Sequence, residues 1–361
     1  MRTLLRLAKT GTHPWPNPCT AAAIIQNDTV VGIGKHQQAG EAHAEVAAIA
    51  AAGDKANGAT LMVNLEPCTH WGRTPPCVDA IVRAGIREVI YAVSDPNPKV
   101  RASSATQYLM SQGIQVRSGL LETDAFLDNA AFMKQMIAKT PFITAKIATS
   151  LDGKIALANG ESKYITGTKS RQYVHQLRAN HDVIVVGIGT ILADDPMLTV
   201  RDIPTAKQPA IVILDAHGRT PLQSRIFEER DPSQVLILVG AEADTDTLSQ
   251  KATIIQGPQT PFSWPHIIDL CAQQDWTRVL IEGGEQVFTS ALDAQVVDKV
   301  IWCMAPLLLG GKNSFVGYGG NGVSRIADAK QLAHPKVRRM GPDILIEGFL
   351  NNPLNWIKEP S

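Results

Sequence analysis

The chain has 361 residues, 44% apolar and 19% charged, and its 34 basic and 34 acidic residues cancel to a net charge of zero. That length suits two domains, each able to bury its own core. Zero net charge argues against a nucleic-acid partner, which needs basic residues to neutralise phosphates, and no run approaches the ~18 apolar residues of a membrane span. The opening stretch MRTLLRLAKTGTHPWP reads as an amphipathic helix, too short in its apolar part for a signal peptide. TAAAII (20–25) and TVVGIG (29–34) flank Gln26-Asn27-Asp28, a turn composition, and form a predicted hairpin. Residues 41–52 are an Ala-rich helix closed by Gly53. ATLMVNL (59–65) is a strand, VDAIVRAG (78–85) a short helix, REVIYAV (87–93) a strand, and Asp95-Pro96-Asn97-Pro98 a loop. QYLMSQG (107–113) and IQVRSG (114–119) repeat helix then strand. Such alternation implies a mainly parallel sheet covered by helices.

Residues 121–140 read as a connecting helix between a domain spanning 1–120 and another spanning 141–361. The second series opens with the strand PFITAKIATS, the helix GTKSRQYVHQLRAN and the strand HDVIVVGIGT. PAIVILDA, QVLILVG, TRVLIEGG and DKVIWCMAPLLLGG are further strands, with the helix EQVFTSAL between the last two. No internal repeat or low-complexity tract interrupts them.

The five cysteines stand at Cys19, Cys68, Cys77, Cys271 and Cys303. An odd number in a large chain argues against a disulfide framework and for a reducing, cytoplasmic setting in which some thiols bind metal. His43-Ala44-Glu45 opens the Ala-rich helix, and Pro67-Cys68 and Cys77 follow the strand ending at Leu65. One imidazole and two thiolates suit tetrahedral Zn²⁺ with a fourth position open to water. Cys77 begins a helix, where the N-terminal dipole favours a thiolate. Glu45 is not needed as a ligand and can shuttle protons between the activated water, the ring nitrogen and the leaving amine, as in the zinc deaminases. A structural zinc, or a buried histidine with two inert cysteines, is the plainer alternative; Glu45 and the proline before Cys68 weigh against it. Cys19 belongs to no ligand set and reads as structural.

GIGKHQQAGEAHAEVAAI, LEPCTHWGRTPPCVDAI and SDPNPKV closely resemble the deaminase half of the bifunctional riboflavin-biosynthesis deaminase/reductase family. The eight residues between the cysteines, THWGRTPP, are that family's form of the motif; cytidine and tRNA adenosine deaminases have a two-residue gap. IATSLDGKIALANGESKYIT, VGIGTILADDPMLTVR and LIEGG resemble the reductase half, so the resemblance spans nearly the whole chain. It implies an α/β protein with a cytidine-deaminase-like three-layer α/β/α domain followed by a dihydrofolate-reductase-like α/β domain. It implies His43, Cys68 and Cys77 as ligands of one Zn²⁺, Glu45 as the proton shuttle, and a diamino-hydroxy-pyrimidine bearing a phosphoribosylamino group as substrate. Asn17 is a candidate reader of the pyrimidine edge, and His36, His70 and Arg73 are candidate phosphate contacts, against the alternative that each is an ordinary polar loop residue.

In the second half, Glu282-Gly283-Gly284 before a helix is a phosphate-binding design, and Gly187-Ile188-Gly189-Thr190 is a second glycine-bearing strand end; together they suit a dinucleotide. Neither strand end carries the G-x-G-x-x-G fingerprint, which argues against an ordinary Rossmann domain. The resemblance assigns NADPH to Ala148, Tyr164, Thr190, Asp194 and the loop Gly284, Glu285, Gln286, Val287, Phe288, Thr289 and Ser290. It assigns the ribosylamino-pyrimidine to Ser162, Arg178, Leu198, Arg201 and Glu282, the two arginines making sense as phosphate partners. Asp152 and Lys154 are expected near the substrate, and no proton donor for the reduction is identified.

The chain departs from the family pattern in several places. RASSA (101–105) is one residue longer than the usual turn, Ala21-Ala22 replace a Gly-Cys, and the usual short acidic lead before the first helix is missing. Tyr164 stands where Trp is common, and Ala216 replaces a polar residue that often touches the cofactor. None of these removes a zinc ligand or Glu45. The resemblance implies a dimer or tetramer formed through the reductase domain. Two rivals stay open: a nucleoside or tRNA deaminase with an unrelated appended domain, and a second domain that only binds nucleotide or mediates assembly.

Overall fold

A computed structural model describes residues 1–10, 16–101, 104–205, 207–257 and 262–357. The chain divides into two compact units, one of residues Met1–Lys139 with Pro353–Ser361 and one of Thr140–Asn352. The boundary differs from the expected one. Residues 121–140 are no free connector: Glu122–Asp128 and Ala130–Ala138 are two helices broken at Asn129 that bury Phe126, Leu127, Phe132 and Met133 in the first unit. Trp356, near the C-terminus, lies 6.4 Å from the ring of Phe126, so the last short helix also belongs to the first unit.

The first unit holds the strands β1 (Ala21–Gln26), β2 (Thr29–Lys35), β3 (Thr60–Leu65), β4 (Glu88–Val93) and β5 (Gln115–Ser118). Its helices are α1 (Arg2–Ala8), α2 (Ala44–Ala52), α3 (Cys77–Arg83), α4 (Pro98–Arg101), α5 (Ala105–Ser111), α6 (Glu122–Asp128) and α7 (Ala130–Ala138). The sheet order is β2-β1-β3-β4-β5. Only β3, β4 and β5 run parallel; β1 pairs antiparallel with β2 and with β3, so the sheet is mixed rather than mainly parallel. The hairpin closes through Asn27 and Asp28, both at positive φ (48° and 59°), the conformation a two-residue turn needs to match strand twist. A Cβ at Gly32 or Gly34 would fall 2.4 Å from Ala48 O or 2.3 Å from Ala44 O. Helix α2 therefore lies directly on the backbone of β2, which fixes the position of its first turn. Of the departures, Ala21 and Ala22 are fully buried in β1, while Ala102 and Ser103 lie outside the described residues.

The second unit holds β6 (Phe142–Thr149), β7 (Lys154–Ala156), β8 (Val183–Gly187), β9 (Ala210–Leu214), β10 (Val235–Val239), β11 (Thr253–Gln256), β12 (Arg278–Ile281), β13 (Lys299–Met304), β14 (Phe315–Val316), β15 (Ala333–Met340) and β16 (Asp343–Phe349). Its helices are α8 (Thr168–Ala179), α9 (Ile188–Asp194), α10 (Trp264–Gln273) and α11 (Glu285–Asp293). Nine strands form one sheet in the order β11-β10-β9-β8-β12-β6-β13-β16-β15. The strands from β11 to β13 are parallel, and β16 and β15 close the edge antiparallel. Burial on both faces explains the unbroken apolar runs of β8 and β10. The strand expected over DKVIWCMAPLLLGG stops at Met304, and Gly310 and Gly311 both sit at positive φ. No helix among the described residues is long and apolar enough to cross a membrane.

A candidate zinc site and a candidate nucleotide cavity

In the first unit, three elements bring one donor each to a point. His43 is the N-cap of α2, Cys68 follows the C-terminal end of β3, and Cys77 is the first residue of α3. His43 Nδ1 lies 3.1 Å from Cys77 Sγ and 3.5 Å from Cys68 Sγ, and all three donor atoms fall within 4.8 Å of one another. Tetrahedral zinc, with Zn–S about 2.3 Å and Zn–N about 2.0 Å, sets neighbouring donors roughly 3.5–3.8 Å apart, so this set fits the ion. The donors are also poised chemically. The Cys77 thiol and its backbone N–H, 3.3 Å from Cys68 Sγ, both point at Cys68 and hold its thiol well below the ordinary range. The same contact, together with burial, pushes the Cys77 thiol up, so of the two Cys68 is the one that gives up its proton more readily. His43 Nε2 lies 3.2 Å from Thr74 Oγ1, a contact that orients the ring. Thr74 sits inside the eight-residue gap, a partner the sequence reading passed over.

Glu45 lies in the first turn of α2 and is 5% exposed. Burial, aided by the charge on Cys68, pushes its carboxyl up to about 7. It lines a cavity of about 250 Å³ together with His43 and Cys68. Asn17, His36, His70 and Arg73 line the same cavity. His36 is buried, its Nδ1–H donates to Ala42 O at 3.1 Å, and its Nε2 accepts from Asn17 Nδ2 at 3.0 Å. Burial lowers its pKa, in keeping with a neutral ring. His70 Nδ1 is buried without a hydrogen-bond partner. Asp95, Glu66 and Phe132 also line this cavity, none of them assigned from sequence. Burial pushes Asp95 up to about 6.

In the second unit, the strand ends open into a cavity of about 360 Å³. Ala148, Ser162, Tyr164, Arg178, Thr190, Asp194, Leu198, Arg201, Glu282 and Gly284 all line it, which brings together residues spread over 137 positions (284 − 148 + 1). Arg178 on α8 grips Glu282 through Nε and Nη2, at 2.7 and 3.0 Å. Burial alone would raise the Glu282 pKa, but the guanidinium holds it below its ordinary value. The Gly284 amide donates to Thr190 Oγ1 at 3.2 Å, joining the two glycine-bearing strand ends. Ser162 Oγ donates to Asp194 Oδ1 at 2.5 Å.

Some expectations shift. Residues Glu285 to Ser290, a cofactor loop by the resemblance, are the first turns of α11, the helix expected over EQVFTSAL, and none of them lines the cavity. Val287, Phe288 and Thr289 turn into the core, and Ser290 Oγ accepts from Trp264 Nε1 at 3.2 Å, so only the backbone at Gly283 and Gly284 meets the cavity. Gly189 and Thr190 likewise belong to α9. Asp152 and Lys154 do not line the cavity either. The Asp152 carboxylate accepts from the Ser150 hydroxyl and from the Leu309 and Gly310 amides, which hold it down at about 2 and tie the segment after β13. Lys146 on β6 and His175 on α8 do line it, and the sequence reading named neither.

Comparison with known proteins agrees with both halves. Residues 141–346 match the family described as RibD C-terminal domain, and residues 1–93 match the cytidine and deoxycytidylate deaminase zinc-binding region. The chain is 37% identical over 352 residues to the riboflavin biosynthesis protein RibD of Aquifex aeolicus, covering 96% of both chains. It is 36% identical over 361 residues to that of Escherichia coli, covering 96% and 97%. Among solved structures it is similar to Acinetobacter baumannii RibD, with a TM-score of 0.82 and 34% identity over 96% of this chain and 97% of the other. It is similar, too, to a diaminohydroxyphosphoribosylaminopyrimidine deaminase/5-amino-6-(5-phosphoribosylamino)uracil reductase from Thermotoga maritima, with a TM-score of 0.81 and 33% identity over 96% of each.

Proposed function

The chain belongs to the RibD family of bifunctional riboflavin-biosynthesis enzymes, and from that premise we propose how its own residues divide the two reactions. It is a zinc deaminase and an NADPH-dependent reductase in one polypeptide. The substrate is 2,5-diamino-6-(5-phosphoribosylamino)pyrimidin-4(3H)-one, whose 2-amine is replaced by a carbonyl with release of ammonia. The product, 5-amino-6-(5-phosphoribosylamino)uracil, then has its ribose reduced to a ribityl chain.

His43, Cys68 and Cys77 hold the zinc. Bound there, the ion supplies a Lewis acid that makes water acidic enough to lose a proton near neutral pH. Glu45 would take that proton and pass it to the ring nitrogen, then take the proton of the newly added hydroxyl and pass it to the amine, which leaves as ammonia while the carbonyl forms. A carboxyl poised near 7 does both at physiological pH. Thr74 orients His43, Asn17 reads the pyrimidine edge, and His36 fixes the Asn17 amide. His70 and Arg73 meet the phosphate end, and the unpartnered Nδ1 of His70 suits a ligand contact.

In the reductase unit, bound NADPH supplies the hydride. Ala148, Tyr164, Thr190 and Asp194, with the backbone at Gly284, hold the cofactor against the substrate. Arg201 receives the substrate phosphate, and Ser162, Leu198 and the Arg178–Glu282 pair seat the ribosylamino-pyrimidine. Lys146, which shares the cavity with Glu282 and whose charge helps keep that carboxylate ionised, is the cation we assign to the reacting end of the sugar. The five cysteines form no disulfide among the described residues, which supports a cytoplasmic setting, and the family supports a dimer or tetramer.

The observation that carries the deaminase reading is the convergence of His43, Cys68 and Cys77 beside buried Glu45. The test supplies zinc-loaded protein with the diaminopyrimidine and NADPH and follows ammonia and NADPH together. Ammonia first and NADPH loss after it is the expected order; ammonia without NADPH loss would remove the reductase assignment.

A further inference from the structure

The walls of the deaminase cavity come from residues 16–97, with one exception, Phe132 on α7. The deaminase family match ends at residue 93, well short of it. Asn17, His36, Glu66, Arg73 and Asp95 bring polar groups to the other walls, Pro16, Pro18 and Leu65 bring aliphatic ones, and Phe132 brings the one phenyl ring among the described lining residues. A pyrimidine presents edges that hydrogen-bond and faces that do not, and ligand cavities generally set apolar or aromatic groups against such faces. On the buried side of α7, Ala130 and Ala131 carry only methyl groups, so Phe132 is the first side chain long enough to reach the cavity.

The helix is fixed to the cavity wall, not merely laid beside it. Its N-cap, Asn129, is a residue type favoured there because its side chain normally accepts an N–H of the first turn. Here it makes no such cap. Fully buried, it accepts the Cys19 N–H at 2.8 Å and donates to Cys19 O at 3.1 Å. From β3, Asn64 accepts the Ala21 N–H at 2.8 Å and donates to the same Cys19 carbonyl at 2.9 Å. Two buried amides thus bind the backbone just after Pro16-Asn17-Pro18, and one of them is the start of α7. The Asn17 side of the cavity and the Phe132 side are held as one piece.

We infer that Phe132 is a specificity-determining residue of the deamination step, forming the apolar wall against which the pyrimidine ring lies. This rests on the deaminase reading above. It makes the stretch expected to be a linker a working part of the first active site.

Phe132→Ala and Phe132→Leu are compared with wild type for zinc per chain, KM and kcat of ammonia release from the diaminopyrimidine substrate. A lost ring face raises KM by about tenfold in Phe132→Ala and about threefold in Phe132→Leu, with kcat changing less and one zinc retained. A KM within twofold of wild type in zinc-loaded Phe132→Ala overturns the inference. Should Phe132→Ala not fold, Phe132→Leu decides, and an unchanged KM there overturns it equally. A wild-type chain that releases no ammonia from this substrate defeats the functional reading itself, whereas an active wild type with indifferent variants defeats only the wall.

Discussion

Arg178 and Glu282, 104 residues apart, meet in a two-pronged ion pair with side chains 12% and 6% exposed. Strand β12 ends one residue before Glu282, and the last turn of α8 delivers Arg178 to it. Because both groups are withdrawn from water, each depends on the other. Arg178→Met strands a buried carboxylate and is expected to destabilise the second unit by about 3–5 kcal/mol. Glu282→Gln added to Arg178→Met recovers much of that stability but not reductase KM. Urea unfolding and NADPH oxidation on the same three proteins separate the two effects.

His181 gives a pH prediction. Its Nδ1–H donates to Leu177 O at 2.6 Å and its Nε2 accepts from Thr144 Oγ1 at 3.1 Å. Burial, followed by the charge of Arg278, pushes its pKa down to about 3. The unfolded chain takes up a proton near 6.5 that the folded chain refuses until about 3, so stability falls as pH drops through that window. At pH 5 the loss from this one group is about 2 kcal/mol. Urea midpoints between pH 5 and 7.5 should fall more steeply for wild type than for His181→Gln; parallel curves would count against a neutral buried ring.

Thr74 predicts a metal-affinity effect. Thr74→Val removes the oxygen facing His43 Nε2 and is expected to weaken zinc binding roughly 10–100-fold, while Thr74→Ser keeps it. Competition against a chromophoric chelator reads this directly. Equal affinity for Thr74→Val and wild type would show that the ring needs no such support.

Thr190 predicts a cofactor effect without a metal. Thr190→Val leaves the Gly284 amide without its acceptor and loosens the joint between the two strand ends. NADPH affinity, read by fluorescence titration, should fall about tenfold, or ~1.4 kcal/mol. No change would mean that the joint is not part of the cofactor site.

The zinc donors and Glu45 were legible because each sits in a short local motif at the end of one element, where spacing alone reports the chemistry. Ten of the reductase assignments reach one cavity for a different reason: Ala148, Thr190, Glu282 and Gly284 lie at strand ends and the turns just after them, which a parallel sheet gathers on one side, and loops and helix ends bring the other six to the same place. What the sequence hid was long-range or conformational. Asn129 bonds a residue 110 positions away and Phe132 lines a cavity whose other walls come from residues 16–97, and nothing local marks either as more than helix filler. Phe288 falls in the helix that EQVFTSAL indicates, but only its fully buried ring shows that this face turns to the core and not to the cavity. The edge strand β15 and its neighbour β16 carry mixed patterns, such as His334-Pro335-Lys336 in β15, and escape a search for apolar runs. PLLLGG is apolar enough for a strand, but its two positive-φ glycines end one.

The account's central claim is that one chain performs two separable steps in order, the first through Glu45. Glu45→Gln, loaded with one zinc per chain, is given the diaminopyrimidine substrate and NADPH, and later the deaminated uracil intermediate. The account predicts neither ammonia nor NADPH loss at first, then NADPH oxidation at close to the wild-type rate once the intermediate is added. Ammonia release at the wild-type rate from zinc-loaded Glu45→Gln would contradict it.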